Sequence, residues 1–158
     1  MICETPEEFG KNLPAYGAVA GLDLGTTTIG VALSDILRGV ATPVETIKRK
    51  KFGVDAAALL KLTSGRDVKG LVLGLPRNMD GSEGPRAQAT RAFARNLEKL
   101  TPLPITFWDE RLSTVAAERA MLEADMSRKR RAALIDHVAA GFILQGLLDR
   151  LTHIRNAS

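Results

Sequence analysis

The stretch GLDLGTTTIGVALSD, residues 21–35, constrains the fold more than any other part of this 158-residue chain. Two short apolar segments, which we predict to be strands Ala18–Leu24 and Ile29–Ser34, flank a Gly/Thr turn that is short enough for a β-hairpin. The first strand carries Asp23, although strand interiors disfavour aspartate and an ionised carboxylate in a dry core costs several kcal/mol without a partner. Either the fold supplies a partner for Asp23, or the strand assignment is wrong.

The rest of the chain alternates between strand and helix patterns. We predict further strands at Val44–Ile47, Gly70–Leu75 and Ile105–Trp108, and helices at Asp55–Thr63, from Pro85 to about Leu100, from Ser113 to about Glu123 and from about Ala132 to Leu151. An antiparallel meander followed by strand–helix crossovers is typical of an α/β fold with a mixed sheet and helices on both faces. Ligands of such sheets lie beyond the C-terminal ends of the parallel strands.

The composition is that of an ordinary globular protein. Hydrophobic residues make up 45% and charged residues 25% of the chain, which is enough for one core. No apolar run approaches the roughly 18 residues of a membrane span, and the acidic N-terminus does not resemble a signal peptide. We expect a loose leader at residues 1–17, one domain at 18–152 and a tail at 153–158. The single cysteine, Cys3, fits a reducing cytoplasm.

Basic residues gather in two clusters in a chain whose formal charge is +4. These are KRKK at Lys48–Lys51 and RKRR at Arg128–Arg131. Each cluster is either a solvated loop or a contact for nucleic-acid phosphates, whose neutralisation releases counterions.

Two further acidic positions are as unexpected as Asp23. The predicted strand Ile105–Trp108 runs into Asp109 and Glu110, and either could point into a site because adjacent strand residues face opposite ways. In the last helix, Asp136 shares a face with the apolar residues four and seven positions further on. Each acid also has a structural explanation, since strand-end acids cap turns and acids at helix starts complement the helix dipole.

If these carboxylates converge, they must hold protons or cations, because two carboxylates about 4 Å apart repel by roughly 4 kcal/mol at an effective dielectric near 20. Oxygen ligands without His or Cys suit Mg²⁺ or Mn²⁺. A carboxylate pocket with two such ions is a phosphoryl-transfer site. Gly25 and the hydroxyls of Thr26 and Thr27 could then bind a phosphate at the tight turn, although a plain hairpin turn also explains them.

Four motifs, in order between Gly21 and Leu151, resemble the YqgF/RuvX family of bacterial nucleases, which has a ribonuclease H-like fold. The motifs are GLDLGTTTIGVALSD, GLPRNMDGSEGPRAQ, DERLST and IDHVAAGFILQGLLD. The resemblance implies a five-stranded mixed sheet flanked by helices. It also implies that Asp23, Glu110 and Asp136 are the catalytic acids and that they bind one or two divalent ions.

The same resemblance implies a metal-dependent endonuclease that matures the 5′ end of the 16S ribosomal RNA precursor, with a Holliday junction resolvase as the alternative. The partner is then nucleic acid, as precursor rRNA, branched DNA or a ribosomal particle, and the protein acts in the cytoplasm as a monomer or homodimer. The family often has a basic residue after its DxGT turn, where this chain has Thr27 and Thr28. We therefore expect the phosphate contacts to come from Thr26, Thr27, Arg77, Arg111, Arg128, Lys129, Arg130 and Arg131.

Two other classes of protein stay open at this point. DLGTTT also resembles the phosphate loop of sugar-kinase, actin and Hsp70-like ATPases, but those close two such domains around ATP and 158 residues supply one. A non-catalytic RNA-binding module is the other class, but five Phe, one Trp and one Tyr offer few stacking surfaces. ATP binding would favour the first class, and the lack of a saturable Mn²⁺ site would favour the second.

Overall fold

The computed structural model describes residues 1–112 and 128–157, with the side chains of residues 1–112 and 138–157. In this part of the chain a mixed β-sheet lies between helices. The elements are β1 (Ile2–Cys3), α1 (Pro6–Lys11), β2 (Ala18–Leu24), β3 (Thr28–Ser34), β4 (Ala41–Lys48), α2 (Phe52–Ser64), β5 (Val68–Leu75), α3 (Pro85–Glu98), β6 (Ile105–Asp109), a 3₁₀ turn (Glu110–Leu112) and α4 (Arg128–Ala157). The predicted helix from Ser113 to Glu123 lies outside the described residues.

The described sheet has six strands in the order β1–β6–β5–β2–β3–β4. β2, β3 and β4 form the antiparallel meander that the sequence predicts. The other adjacent pairs, β2–β5, β5–β6 and β6–β1, are parallel. The predicted α/β class and the central five strands are confirmed. The expected count of five strands misses β1, because a strand of two residues is too short to show a periodic pattern.

The N-terminal segment is packed against the sheet, so the expectation that it is a loose leader is wrong. Strand β1 adds to β6 at the edge of the sheet. Helix α1 begins after Thr5, whose hydroxyl accepts a hydrogen bond from the backbone N–H of Glu8. The side chains of Cys3 and Phe9 are fully buried. Strand pairing and these buried side chains dock the short acidic segment.

A side-chain hydrogen bond and a proline explain where helices α2 and α3 begin. The buried carboxylate of Asp55 accepts a hydrogen bond from the backbone N–H of Lys50. This contact resembles half of a capping box. Helix α2 begins at Phe52, three residues before the predicted start at Asp55. Helix α3 has Pro85 at its first position, where the missing N–H of proline costs no hydrogen bond.

Side chains on successive strand residues enter two separate apolar layers. The layer under α2 and α3 includes Leu22, Leu73, Leu59 and Phe93. The layer under α1 and α4 includes Val19, Val72, Phe9, Ile143 and Leu147. The sheet is therefore covered on both faces, as the sequence predicts.

Helix α4 lies close against the sheet because glycines face it. A Cβ atom at Gly21 would lie 2.6 Å from Cβ of Leu144, and one at Gly74 would lie 2.4 Å from Cδ1 of Ile143. Near its C-terminal end, Leu151 shares a groove with the residues that follow β3. Helix α4 therefore runs antiparallel to β2, and its N-terminal turns extend toward the edge where β2 and β5 end.

Helix α4 is longer than the sequence indicates. It begins at Arg128, so the cluster Arg128–Arg131 lies in its first turn and not in a loop. It ends at Ala157, so the segment expected to be a tail at 153–158 is helical through Ala157. No helix in the described ranges is both long and apolar enough to cross a membrane.

Candidate active site

Three parallel strands, β2, β5 and β6, end at the same edge of the sheet, and two predicted acids lie at these ends. Leu22 of β2 pairs with Leu73 of β5, so Asp23 lies beside Gly74. Glu110 opens the 3₁₀ turn directly after β6. The topology thus brings together two residues that are far apart in the sequence.

Asp23 and Glu110 lie on the face of the sheet that α4 covers. Strand alternation places Asp23 on the same side as Gly21, against which Leu144 of α4 packs. The carboxyl carbon of Glu110 lies 3.4 Å from the position that a Cβ atom on Gly74 would occupy. Neighbouring strands are about 4.8 Å apart, so this position is also close to Cβ of Asp23. The carboxylate of Glu110 and the side chain of Asp23 therefore both lie beside Gly74, on adjacent parts of the sheet.

Both carboxylates are buried at this edge. The exposed fraction is 3% for Asp23 and 7% for Glu110. On this face the two strand neighbours of Asp23 are glycines, Gly30 in β3 and Gly74 in β5. No side chain at position 74 separates the two acids, and buried carboxylates so close together are stabilised by a shared cation or proton.

The donor atoms at this point fit a divalent ion. They are carboxylate oxygens, which are the ligands that Mg²⁺ and Mn²⁺ prefer. Among the described side chains, no three His, Cys, Asp or Glu residues form a group that could hold a metal. Asp23 and Glu110 could therefore hold such an ion only together with water or a further acid.

The third predicted acid, Asp136, lies in α4, and its side chain is outside the described part. The carbonyl oxygen of Ala140 lies 3.0 Å from the Cβ position of Gly21. Residue 136 precedes Ala140 in α4 by about one helical turn, which is about 5.4 Å long. Because α4 runs antiparallel to β2, this turn leads toward the edge at which Asp23 lies.

Asp109 points away from this pair and contacts two arginines. Its Oδ2 atom lies 2.7 Å from Nη2 of Arg111 and 3.9 Å from Nη1 of Arg77. The hydrogen bond from Arg111 is the main cause that holds the pKa of Asp109 below its usual value, and the charge of Arg77 acts in the same direction. The sequence left the choice between Asp109 and Glu110 open. The structure brings Glu110, not Asp109, to Gly74 and Asp23.

The two arginines predicted to contact phosphate after β5 and β6 are both paired with acidic side chains. Nη2 of Arg77 lies 3.3 Å from Oε2 of Glu83. Arg111 binds Asp109 and also donates to the carbonyl oxygen of Met79 at 3.4 Å. The pairing with Asp109 raises the pKa of Arg111. These contacts attach the loop between β5 and α3 to the end of β6.

The predicted threonine contacts lie at the turn between β2 and β3. Thr26 and Thr27 are both exposed, and the backbone N–H of Arg49 donates to the carbonyl oxygen of Thr27 at 2.9 Å. The side chains of the predicted contacts in Arg128–Arg131 are outside the described part. The turn is therefore accessible at the same edge of the sheet as the acids.

Two further arginines, one of them in the KRKK cluster, also bind this turn. Nη1 of Arg49 donates to the carbonyl oxygen of Gly25 at 2.8 Å, and Nη2 of Arg86 donates to that of Leu24 at 3.2 Å. Arg49 lies inside the KRKK cluster, so the basic pattern of the sequence already points to it. Arg86 is one basic residue among several near the start of α3, and only the fold brings it to β2.

Comparisons with known proteins agree on one family. A family model described as "RuvX: Holliday junction resolvase" matches residues 17–150. The chain is 73% identical to the "Putative pre-16S rRNA nuclease" of Rhodobacter capsulatus, over 99% of both chains. It is 76% identical to the protein of the same name from Paracoccus denitrificans, over 96% of both chains.

Among solved structures, the chain is similar to "T. thermophilus RuvC in complex with Holliday junction substrate". The TM-score is 0.53 at 13% sequence identity, covering 90% of this chain and 98% of that one. This likeness confirms the ribonuclease H-like fold.

Proposed function

Because the chain belongs to the RuvX family, we propose that it is a metal-dependent endonuclease that processes the 5′ end of the 16S ribosomal RNA precursor in the cytoplasm. The observation that carries the proposal is that Asp23 and Glu110 both lie beside Gly74. Relatives that are more than 70% identical and are named for pre-16S rRNA favour RNA as the substrate. The substrate is then the free precursor or a ribosomal particle that carries it.

We assign Asp23, Glu110 and Asp136 as the metal ligands. Asp23 lies in β2 and Glu110 opens the 3₁₀ turn directly after β6, and the first turns of α4 lead to the same edge. One or two divalent ions held there would supply Lewis-acid stabilisation of the phosphate and a water of lowered pKa. The three carboxylates would bind and orient the ions from strand and helix ends, which hold a site more accurately than loops do.

The reaction is the hydrolysis of a phosphodiester bond. A water oxygen forms a bond to phosphorus and gives up a proton, while the bond between phosphorus and one sugar oxygen breaks and that oxygen takes up a proton from solvent. Thr26 and Thr27 lie on an exposed turn at the same edge, where hydroxyl and backbone N–H groups can bind the phosphate backbone. The paired arginines Arg77 and Arg111 orient the loop beside the acids.

The test compares Asp23→Asn with Asp67→Asn. Asp67 is an exposed acid before β5, at the opposite edge of the sheet, and its φ of 55° suits asparagine. We expect the wild type and Asp67→Asn to cleave a precursor rRNA fragment in Mn²⁺. Cleavage by Asp23→Asn should fall by at least about 100-fold, because metal affinity depends on each ligand, while circular dichroism stays unchanged. Wild-type cleavage by Asp23→Asn would refute the proposal.

A second candidate function is Holliday junction resolution, which the description of the matching family model favours. A resolvase makes two symmetric cuts and needs two active sites, so it acts as a dimer. Precursor cleavage needs one site, and a monomer suffices. Cleavage of a four-way DNA junction by a dimeric species, without cleavage of the RNA fragment, would favour the resolvase.

A further inference from the structure

A small cavity of about 90 Å³ lies at the end of β2, on the face that α3 covers. Gly25 and Thr26 form one wall, and Arg49, Arg86 and Thr90 form the other. The carboxylate of Asp23 is on the opposite face of the same strand. The cavity is therefore separate from the acidic site but lies only about 7 Å further along the chain, which is two strand residues.

The two arginines in this cavity differ from the others at this edge of the sheet. Arg77, Arg91 and Arg111 each have an acidic partner within 3.3 Å. Within the described part of the chain, Arg49 and Arg86 form no ion pair, and each donates instead to a backbone carbonyl oxygen of β2 or its turn. One hydrogen bond uses one of the five N–H donors of a guanidinium group, so the others can bind a ligand.

A backbone phosphate is the ligand that this arrangement fits best. Two guanidinium groups without acidic partners attract an anion, and their planar forks match phosphate oxygens. The exposed hydroxyl of Thr26 adds a donor at the same opening. Arg49 also lies 5.9 Å from the ring centre of Phe93, which limits the motion of its side chain and pre-organises the charge.

We propose that Arg49, Arg86 and Thr26 form a binding subsite for a nucleic-acid phosphate that neighbours the phosphate to be hydrolysed. The inference rests on the proposed nuclease function and adds a substrate contact to it. The cavity and Asp23 lie on opposite faces at the end of β2. The subsite would therefore take a phosphate on the face of α3, while the acids act on a phosphate on the face of α4.

A purely structural role for the two arginines makes a different prediction. Glutamine keeps an N–H donor for the carbonyl oxygen but has no charge. If the arginines only hold the turn, Arg49→Gln and Arg86→Gln change stability without changing the salt dependence of binding. A phosphate contact instead contributes to that salt dependence, because each neutralised phosphate releases counterions.

The experiment measures binding of a fluorescently labelled single-stranded precursor rRNA fragment in EDTA, where cleavage plays no part. Fluorescence anisotropy gives the affinity between 50 and 200 mM KCl, about the range over which phosphate contacts show their salt dependence. The double variant Arg49→Gln/Arg86→Gln should bind about tenfold more weakly at low salt. Its slope of log K against log[KCl] should be smaller by about 0.7, because one phosphate contact is lost. Arg95→Gln, an exposed position on the same helix α3, is the matched control and should bind like the wild type.

The double variant Arg49→Lys/Arg86→Lys keeps both charges, and we expect it to retain the wild-type slope. A wild-type slope and affinity in the glutamine double variant would overturn the subsite. If the glutamine double variant binds more weakly but the wild type cleaves nothing with Mn²⁺, the subsite is supported and the nuclease function is refuted. A wild type that binds neither the RNA nor a four-way DNA junction would refute both.

Discussion

At the scale of single residues, the candidate active site depends on the absence of a side chain at position 74. A Cβ atom there would lie 2.4 Å from Cδ1 of Ile143 and 3.4 Å from the carboxyl carbon of Glu110. Gly74 therefore lets α4 approach the sheet and lets Glu110 lie beside β5. Packing and the geometry of the acids are coupled at this one residue.

Gly74→Ala should lower the free energy of unfolding by about 1–3 kcal/mol, because an extra methyl group in a filled core displaces its neighbours. It should also weaken Mn²⁺ binding, since Ile143 of α4 must move and the new methyl group contacts the carboxyl group of Glu110. Urea denaturation and titration calorimetry with Mn²⁺ measure the two effects.

Gly53→Ala is the control for this change. A Cβ atom at Gly53 meets nothing within 4 Å, and alanine in a helix is more stable than glycine by about 0.5–1 kcal/mol. This variant should be slightly stabilised and bind Mn²⁺ normally. Wild-type Mn²⁺ affinity in Gly74→Ala would contradict the coupling between packing and metal binding at this position.

At the scale of elements, α1 contacts both the sheet and α4. Phe9 packs against β5, where a Cβ atom at Gly70 would lie 2.6 Å from its Cζ. Glu7 accepts a hydrogen bond from Arg150 of α4 at 2.8 Å. The N-terminal segment therefore holds α4 against the sheet at the end opposite to the candidate active site.

Phe9→Ala should lower the free energy of unfolding by about 3–5 kcal/mol, because it leaves a cavity in the core. Tyr16→Ala removes an aromatic side chain that is 66% exposed, and its effect should stay within about 0.5 kcal/mol. Urea denaturation of the two variants measures both values. Equal stability of the two variants would show that the N-terminal segment is not part of the cooperative fold.

At the scale of the whole molecule, the proposed metal site would make folding and metal binding interdependent. The unfolded chain does not bring Asp23 and Glu110 together, so a divalent ion held by these residues would bind the folded state preferentially and stabilise it. The proposed metal site should therefore be visible in the stability of the protein, without any substrate.

Mn²⁺ at 100 times its Kd should stabilise the wild type by about 2.7 kcal/mol, which corresponds to a rise in Tm of about 5–10 °C for a chain of this length. Asp23→Asn should show little or no rise, and Asp67→Asn should behave like the wild type. Thermal unfolding in EDTA and in Mn²⁺ measures the difference. An equal rise in all three proteins would place the bound ion elsewhere.

Local patterns in the sequence were sufficient for much of the fold. The hairpin of β2 and β3 and the apolar strand β5 carry strong periodic or continuous apolar signals. Pro85 predicts the start of helix α3. The α/β class and the family are confirmed, because the motifs that indicate them are contiguous in the sequence. The choice of Asp23, Glu110 and Asp136 as metal ligands stays a prediction from the family resemblance.

The sequence by itself determined the five longer strands of the described sheet and the helices α2, α3 and α4, because short-range periodicity reports which face of each element is apolar. Only the tertiary structure decided that β1 and α1 form and are packed, and that Glu110 rather than Asp109 approaches Asp23. It also decided that Arg77 has acidic partners while Arg49 has none within the described residues. These outcomes depend on distances between residues far apart in the chain. Strand order and helix packing set those distances, and neither is encoded in any single stretch of sequence.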